Sequence, residues 1–244
     1  MKNYRENEIQ TRFLWFLILA YSMSYVISNW YDPRIISLFG FNTGGGILIF
    51  PFTFLLSDLI TEVYGYKNAR LAIWSGFLFN IVFIIYSYLV THLPYPSIDQ
   101  FRTDSFNKLF VLNARIIVAS ILSYLCSETS SAFIMAKLKI KLNGRYIGIR
   151  FISSTIIASG IDSFLFCFLG FYGYIIKDDL LNFILFSWFI KVSIEIIGLP
   201  FSIRLSKKLK RLETLDVYDR NTQFNLFILD TSYTKRDNKF YTQK

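Results

Sequence analysis

One histidine, two cysteines and no glycine-rich phosphate loop narrow what this 244-residue chain can do. His92 falls in an expected loop beside Pro94 and Pro96, and no Ser-His dyad is visible. Cys126 and Cys167 each lie deep in an apolar block. They form no disulfide framework, and a metal site would need more ligands nearby. They read as free thiols that pack as small apolar groups. There is no internal repeat, no low-complexity tract and no soluble catalytic domain. The chain therefore does not read as an enzyme, and neither cofactor nor metal is expected. A membrane-embedded enzyme stays the weaker alternative for want of a catalytic constellation. An ATP-driven pump would need a nucleotide-binding partner chain.

What is abundant is apolar. Hydrophobic residues make up 53% of the chain and aromatics 19%, with 26 Phe. They fall in blocks of about 18–25 residues, the length a helix needs to cross about 30 Å of hydrocarbon. The spacing predicts helices over 13–31, 47–65, 71–91, 110–137, 148–173 and 182–206. The expected fold is an all-α, polytopic membrane helix bundle of six transmembrane helices over residues 1–206. A polar cytoplasmic tail is expected over 207–244. The first block follows Lys2, Arg5 and Arg12 as a signal peptide would, but it is too long. Ser28-Asn29-Trp30-Tyr31 also offers no small-residue cleavage site, so it reads as a retained helix.

The formal net charge is +9. These charges sit at helix ends rather than on a soluble face interleaved with aromatics, so they read as topology signals and not as a nucleic-acid surface. With the N-terminus inside, the inner segments hold 20 Lys and Arg and the outer loops 4, namely Arg34, Arg102, Lys108 and Lys177. That asymmetry predicts a multi-pass protein of the bacterial inner membrane with both termini cytoplasmic. The sign survives when the C-terminal tail is left out. The Arg204 to Arg211 cluster reads first as a positive-inside anchor and second as a binding site for anionic lipid. The segment at 47–65 is the least regular, because Gly44-Gly45-Gly46 precedes it and Pro51 lies inside it. Either the helix is mildly kinked there, or it begins near Pro51 after a re-entrant or extended stretch.

Charges inside membrane helices are expensive and face a cavity or a partner. Here they are Asp58, Glu62, Arg115, Glu128, Asp162, Lys191 and Glu195. At about 1.5 Å per residue, Lys191 lies about 14 Å from the outer boundary, Asp58 and Asp162 about 17 Å, and Glu195 about 20 Å. These four share a slab near the midplane, where carriers bind their solutes. Arg115 lies nearer the outside, Glu62 and Glu128 nearer the inside. Asp58 and Glu62, four apart, share a helix face. Lys191 and Glu195 have the same spacing and can form a structural salt bridge with each other. The stripes Ala119, Ser123, Ser127, Ser131 and Ser154, Ala158, Asp162 predict close helix packing. The run Ser127-Glu128-Thr129-Ser130-Ser131 lines a wet path or bonds to neighbouring helices.

The run Phe50-Pro51-Phe52-Thr53-Phe54-Leu55-Leu56-Ser57-Asp58-Leu59-Ile60-Thr61-Glu62-Val63-Tyr64-Gly65 resembles the queuosine precursor transporter family, formerly grouped as vitamin uptake transporters. The resemblance continues through Ala69-Arg70, Arg115…Ala119-Ser120…Tyr124, Arg150…Ser154-Thr155…Asp162-Ser163, Lys191…Pro200 and Tyr218-Asp219…Thr222…Phe224-Asn225…Phe227. It covers about residues 13–227, and motif order and spacing together make it specific. It implies six transmembrane helices similar to the substrate-binding subunits of energy-coupling-factor transporters. It also implies uptake of 7-cyano-7-deazaguanine, 7-aminomethyl-7-deazaguanine or queuine for queuosine in transfer RNA. Glu128 and Ser159 stand where many relatives carry Gln, and Ser131 replaces a common Asp, so solute preference here can differ.

A 7-deazaguanine presents an N–H and an exocyclic amine on one edge, which a carboxylate accepts together. Asp162 and Glu195 are the first candidates, then Asp58 and Glu128, with Glu62 on the Asp58 face. Lys191 or Arg115 would meet the exocyclic carbonyl. The flat ring would stack on an aromatic, with Phe52, Phe54, Trp74 and Trp188 as candidates. The expected partners are this small molecule and the lipid bilayer, not nucleic acid. A carrier working alone leads. The alternatives are a substrate-capture subunit of a multi-chain ATP-driven vitamin-type transporter and a purely structural membrane protein. A six-helix carrier works as a monomer or a homodimer, and the sequence leaves both open.

Overall fold

The computed structural model describes residues 9–32, 34–94, 100–111, 114–173 and 177–242. It is a helical membrane bundle. In chain order come α1 (Leu14–Tyr31), a hairpin of β1 (Ile35–Leu38) and β2 (Phe41–Gly44), a 3-10 turn (Gly45–Leu48) and α2 (Pro51–Tyr64). Then follow α3 (Tyr66–Thr91), α4 (Gln100–Val111), α5 (Ala114–Lys141), α6 (Ile147–Phe171) and α7 (Lys177–Glu213). A 3-10 turn (Lys235–Asp237) and the short α8 (Lys239–Thr242) end the chain. Among the described residues, four helices are long and apolar enough to cross a membrane: Tyr66–Thr91, Ile116–Lys141, Ile147–Phe171 and Asp179–Glu213.

The helices turn apolar side chains outward as well as inward, and their polar side chains are largely confined to the inner faces, unlike those of a soluble bundle. α1 shows the pattern. Leu14, Leu17, Tyr21, Tyr25 and Ser28 point inward at helical spacing, while Trp15, Phe16, Leu19 and Met23 point out. In water that outer face would be a liability; in lipid it is the solvated side. The core is correspondingly rich in hydroxyls, and the Tyr25 and Tyr124 rings stack 3.8 Å apart.

The irregular segment takes the broken form. Pro51 occupies the first turn of α2, where its missing N–H leaves no bond unmade. Ahead of it, β1 and β2 pair antiparallel with Ile35 opposite Gly44. Gly46 is what lets this segment reach the end of α1, because a Cβ there would lie 2.3 Å from Asp32 Oδ1 and 2.4 Å from the Ser28 carbonyl. α2 has 14 residues, about 21 Å at 1.5 Å each, and is short of the hydrocarbon thickness. It is central instead: nearly all of its side chains are buried between α1, α3, α5 and α7.

α5 and α6 form the most extensive helix pair in the molecule. The small-residue stripes explain it, since Ala119, Ser123, Ser127, Ser131, Ser154 and Ala158 are all buried. α4 fell in what the sequence presents as an outer loop. It is too polar to register as a membrane segment, and it packs along α3.

The segment after residue 206 is ordered rather than a loose tail. α7 runs on to Glu213, and the following residues wrap back as a strap over the end of the bundle. The Glu213 carboxylate accepts the Arg12 and Phe13 N–H groups at 3.0 and 2.9 Å, placing a negative charge at the start of α1. Asp219 accepts the Tyr66 N–H at 3.0 Å, which explains why α3 starts at Tyr66 and not near 71. Arg70 donates to the Asn225 and Asp230 carbonyls at 2.7 and 2.6 Å, and Trp74 to Leu226 at 2.8 Å.

Candidate functional site

A small, half-open cleft lies at the hairpin end of the bundle. Asp32, just past α1, and Thr43 of β2 form one wall. Phe50 enters from the start of α2, and Ser120 and Ser123 from α5. Asp162 and Phe166 of α6 and Phe183, Ser187 and Lys191 of α7 complete it.

Asp162 and Lys191 form an ion pair across the α6–α7 interface, and both are almost wholly buried. The Lys191 ammonium also lies 4.7 Å from the centre of the Phe50 ring. Asp162 accepts a long hydrogen bond from Ser127 at 3.5 Å. Burial pushes the Asp32 carboxyl up to about 7, with Lys191 pulling the other way and Asp162 adding to the rise. The cleft thus holds two carboxyls, one ammonium and an aromatic face within one small volume.

The other expected site residues separate into groups. Asp58, Glu128 and Glu195 lie behind the cleft, toward the middle of the bundle, and do not line it. Asp58 accepts Ser131 at 3.1 Å and Ser154 at 2.8 Å. Both oxygens of Glu128 and of Glu195 are buried without a hydrogen-bond partner. Lys191 is committed to Asp162 and makes no ion pair with Glu195. Glu62 belongs to the opposite end. It receives Arg150 through both guanidinium nitrogens and Lys210 at 2.5 Å. Asp216 of the strap takes Lys139 at 2.8 Å and Lys210 at 2.7 Å. This five-residue network joins α2, α5, α6, α7 and the strap.

None of the four expected stacking rings lines the cleft. Phe52 faces outward and is half exposed, and Phe54 packs in the core against Phe50. Trp74 is tied to the strap, and Trp188 bonds the Ile156 carbonyl at 3.0 Å on the outer surface of α6. The Arg115 side chain lies outside the described residues. The cleft instead uses Phe50, Phe166 and Phe183, along with Asp32. Asp32 escaped notice because it falls one residue beyond the first apolar block. Among 26 Phe, the flag for Phe50 was its place directly before Pro51.

Among the described residues, no group of three or more His, Cys, Asp or Glu is arranged to hold a metal. No solved structure matches this chain. A family model described as Putative vitamin uptake transporter matches residues 43–205. The Probable queuosine precursor transporter of Bacillus subtilis (strain 168) is 24% identical over 185 residues, which are 75% of this chain and 80% of that protein. The Queuosine precursor transporter of Escherichia coli (strain K12) is 28% identical over 205 residues, 82% and 89% of the two chains. The family match spans more than half of the chain, from the end of β2 through most of α7. The chain therefore belongs to this vitamin uptake transporter family, the family of the queuosine precursor transporters.

Proposed function

We propose that the protein takes up a 7-deazaguanine precursor of queuosine across the bacterial inner membrane. The candidates are 7-cyano-7-deazaguanine, 7-aminomethyl-7-deazaguanine and queuine. In this reading α1 and α2 join the four long helices as membrane segments, giving six. The strap end faces the cytoplasm, as the Lys and Arg asymmetry of the loops favours.

The observation that carries the reading is the Asp162–Lys191 pair beside the Phe50 ring in the cleft. A deazaguanine offers adjacent donors on one edge for the carboxylate and a carbonyl oxygen for the ammonium. Its flat face stacks on a ring. A solute that inserts between Asp162 and Lys191 satisfies both charges at once, so the pair is a ready-made receptor for a donor–acceptor edge. The surrounding hydroxyls of Ser120, Ser123 and Ser187 bond what remains. Asp58, Glu128 and Glu195 lie one layer deeper.

The test is queuosine in transfer RNA from a host lacking both precursor synthesis and its own importer. The host expresses this protein and is fed each precursor at low concentration. Restoration by one precursor names the solute, and Asp162→Asn abolishes it with membrane insertion intact. Restoration only on co-expression of a coupling protein and two ATPases would make this chain a capture subunit. No restoration under either condition overturns the reading.

A further inference from the structure

Three buried carboxyls lie between the cleft and the strap-end network, and among the described residues no cation reaches them. Each helix, counting Phe50 just ahead of α2, orders its inward-facing residues from one end to the other. On α2 the order is Phe50, Asp58, Glu62; on α5 it is Ser123, Glu128, Ser131, Lys139. On α6 it is Asp162, Ser154, Arg150, and on α7 it is Lys191, Glu195, Lys210. The first member of each meets the cleft and the last meets the ion network or its edge. The middle members make a layer of their own.

That layer is short of positive charge. Lys191 is held by Asp162, while Arg150, Lys139 and Lys210 are held by Glu62 and Asp216. Glu128 faces Tyr21 of α1, Asp58 of α2, Tyr124 on its own helix, Asp162 of α6 and Glu195 of α7. Glu195 faces Asp58 and Glu128 across the layer, with the Thr155 hydroxyl beside it. Neither glutamate has a cation beside it; hydroxyls alone approach them, those of Thr53, Ser57 and Tyr21 at Glu128 and that of Thr155 at Glu195. An ionised carboxylate left unpaired in such a place is far more costly than the neutral acid. A metal ion would answer the same deficit, but the described carboxyls are not grouped to hold one.

Resting on the transport reading above, we propose that the protein is a proton symporter. Glu128 and Glu195 hold the transported proton in a layer next to the solute site. The link between the two sites is direct. Ser127, the neighbour of Glu128, bonds Asp162, so a solute that draws Asp162 from Lys191 changes the field at Glu128. The proton enters from the cleft, crosses with the solute and leaves toward the Glu62 network when the strap end opens. It is not consumed, and both carboxyls return to their starting form.

The test is radiolabelled 7-cyano-7-deazaguanine uptake in proteoliposomes of the full chain, with a pH dye trapped inside. With membrane potential clamped, an inwardly directed gradient of one pH unit is expected to drive accumulation about tenfold above equilibrium. Solute addition is expected to acidify the lumen, and a protonophore to abolish both effects. Glu128→Gln and Glu195→Gln are expected to lose accumulation at least tenfold while solute counterflow stays within a few-fold of wild type. Counterflow with no pH dependence and no lumenal acidification overturns the proton proposal and leaves transport standing. A sodium gradient that replaces the proton gradient overturns it in favour of cation symport. No wild-type counterflow with any of the three precursors overturns the transport reading, and this proposal with it.

Discussion

Asp32 carries the clearest pH dependence in the molecule. Its carboxyl is pushed up to about 7 by burial, so the folded chain keeps a proton there that the unfolded chain releases at lower pH. Where the native state binds more protons than the unfolded one, stability falls as pH rises. The contribution is fully present below the ordinary carboxylate range and is lost as pH climbs through about 7. Melting temperature in detergent is expected to drop from pH 5 to pH 7.5, and Asp32→Asn to flatten that slope. An unchanged slope in the variant would mean that Asp32 is solvated in the folded chain. Phe50 makes a second residue-scale prediction. Its ring is the cation–π partner of Lys191 and so an aromatic face beside the Asp162 pair. Stacking a base on a ring contributes about 1–3 kcal/mol, so Phe50→Leu is expected to raise the solute KM about tenfold with little change in maximal rate.

Elements were legible where length and apolarity speak together and illegible where a contact sets the boundary. α1, α3, α5, α6 and α7 coincide with apolar blocks because a membrane helix advertises itself along its whole length. α2 also lies within its apolar block and begins at Pro51, one of the two forms that the sequence left open, with nearly all of its 14 residues buried by protein. The Asp219 cap that starts α3 at Tyr66 lies 153 positions downstream, beyond any local pattern. The strap was illegible for the same reason, being polar in sequence and ordered only by what it covers. Two substitutions test these elements. Gly46→Ala places a methyl 2.3 Å from Asp32 Oδ1, and overpacking of this kind costs about 1–3 kcal/mol. It is expected to lower the yield of folded protein and to disturb the cleft through Asp32. Arg70→Ala strands the Asn225 and Asp230 carbonyls, and bonds from a charged donor contribute about 1.5–3 kcal/mol each. Limited proteolysis is expected to cut the strap of that variant several times faster than wild type.

Across the whole molecule the two ends differ in kind. The hairpin end has a cleft, and the ion pair that lines it, Asp162–Lys191, is one that a solute can replace. The strap end has Glu62, Arg150, Lys139, Lys210 and Asp216 joined across four helices and the strap, with nothing to interrupt them. A carrier must close one end while the other is open. The sequence supplied the charges for both ends but not their partners. By spacing, Asp58 shares a helix face with Glu62, and Lys191 can pair with Glu195. In the fold, Glu62 turns to the strap-end network and Lys191 to Asp162, because Arg150 and Asp162 on α6 face them across helix interfaces. Removing one partner of a buried pair costs about 3–5 kcal/mol, since the other charge is left uncompensated. Glu62→Gln is therefore expected to loosen the strap end rather than the cleft. In a chain lacking Cys126 and Cys167, a cysteine introduced by Ser187→Cys reports on the cleft. Ser187 is almost wholly buried, so an impermeant maleimide added outside is expected to label the introduced cysteine only through states more open at the cleft, and measurably so in the wild-type background. With Glu62→Gln the rate is expected to fall severalfold, as the population shifts toward a state open at the strap. An unchanged labelling rate in a folded Glu62→Gln variant would reduce the network to a structural clamp and place the gate elsewhere.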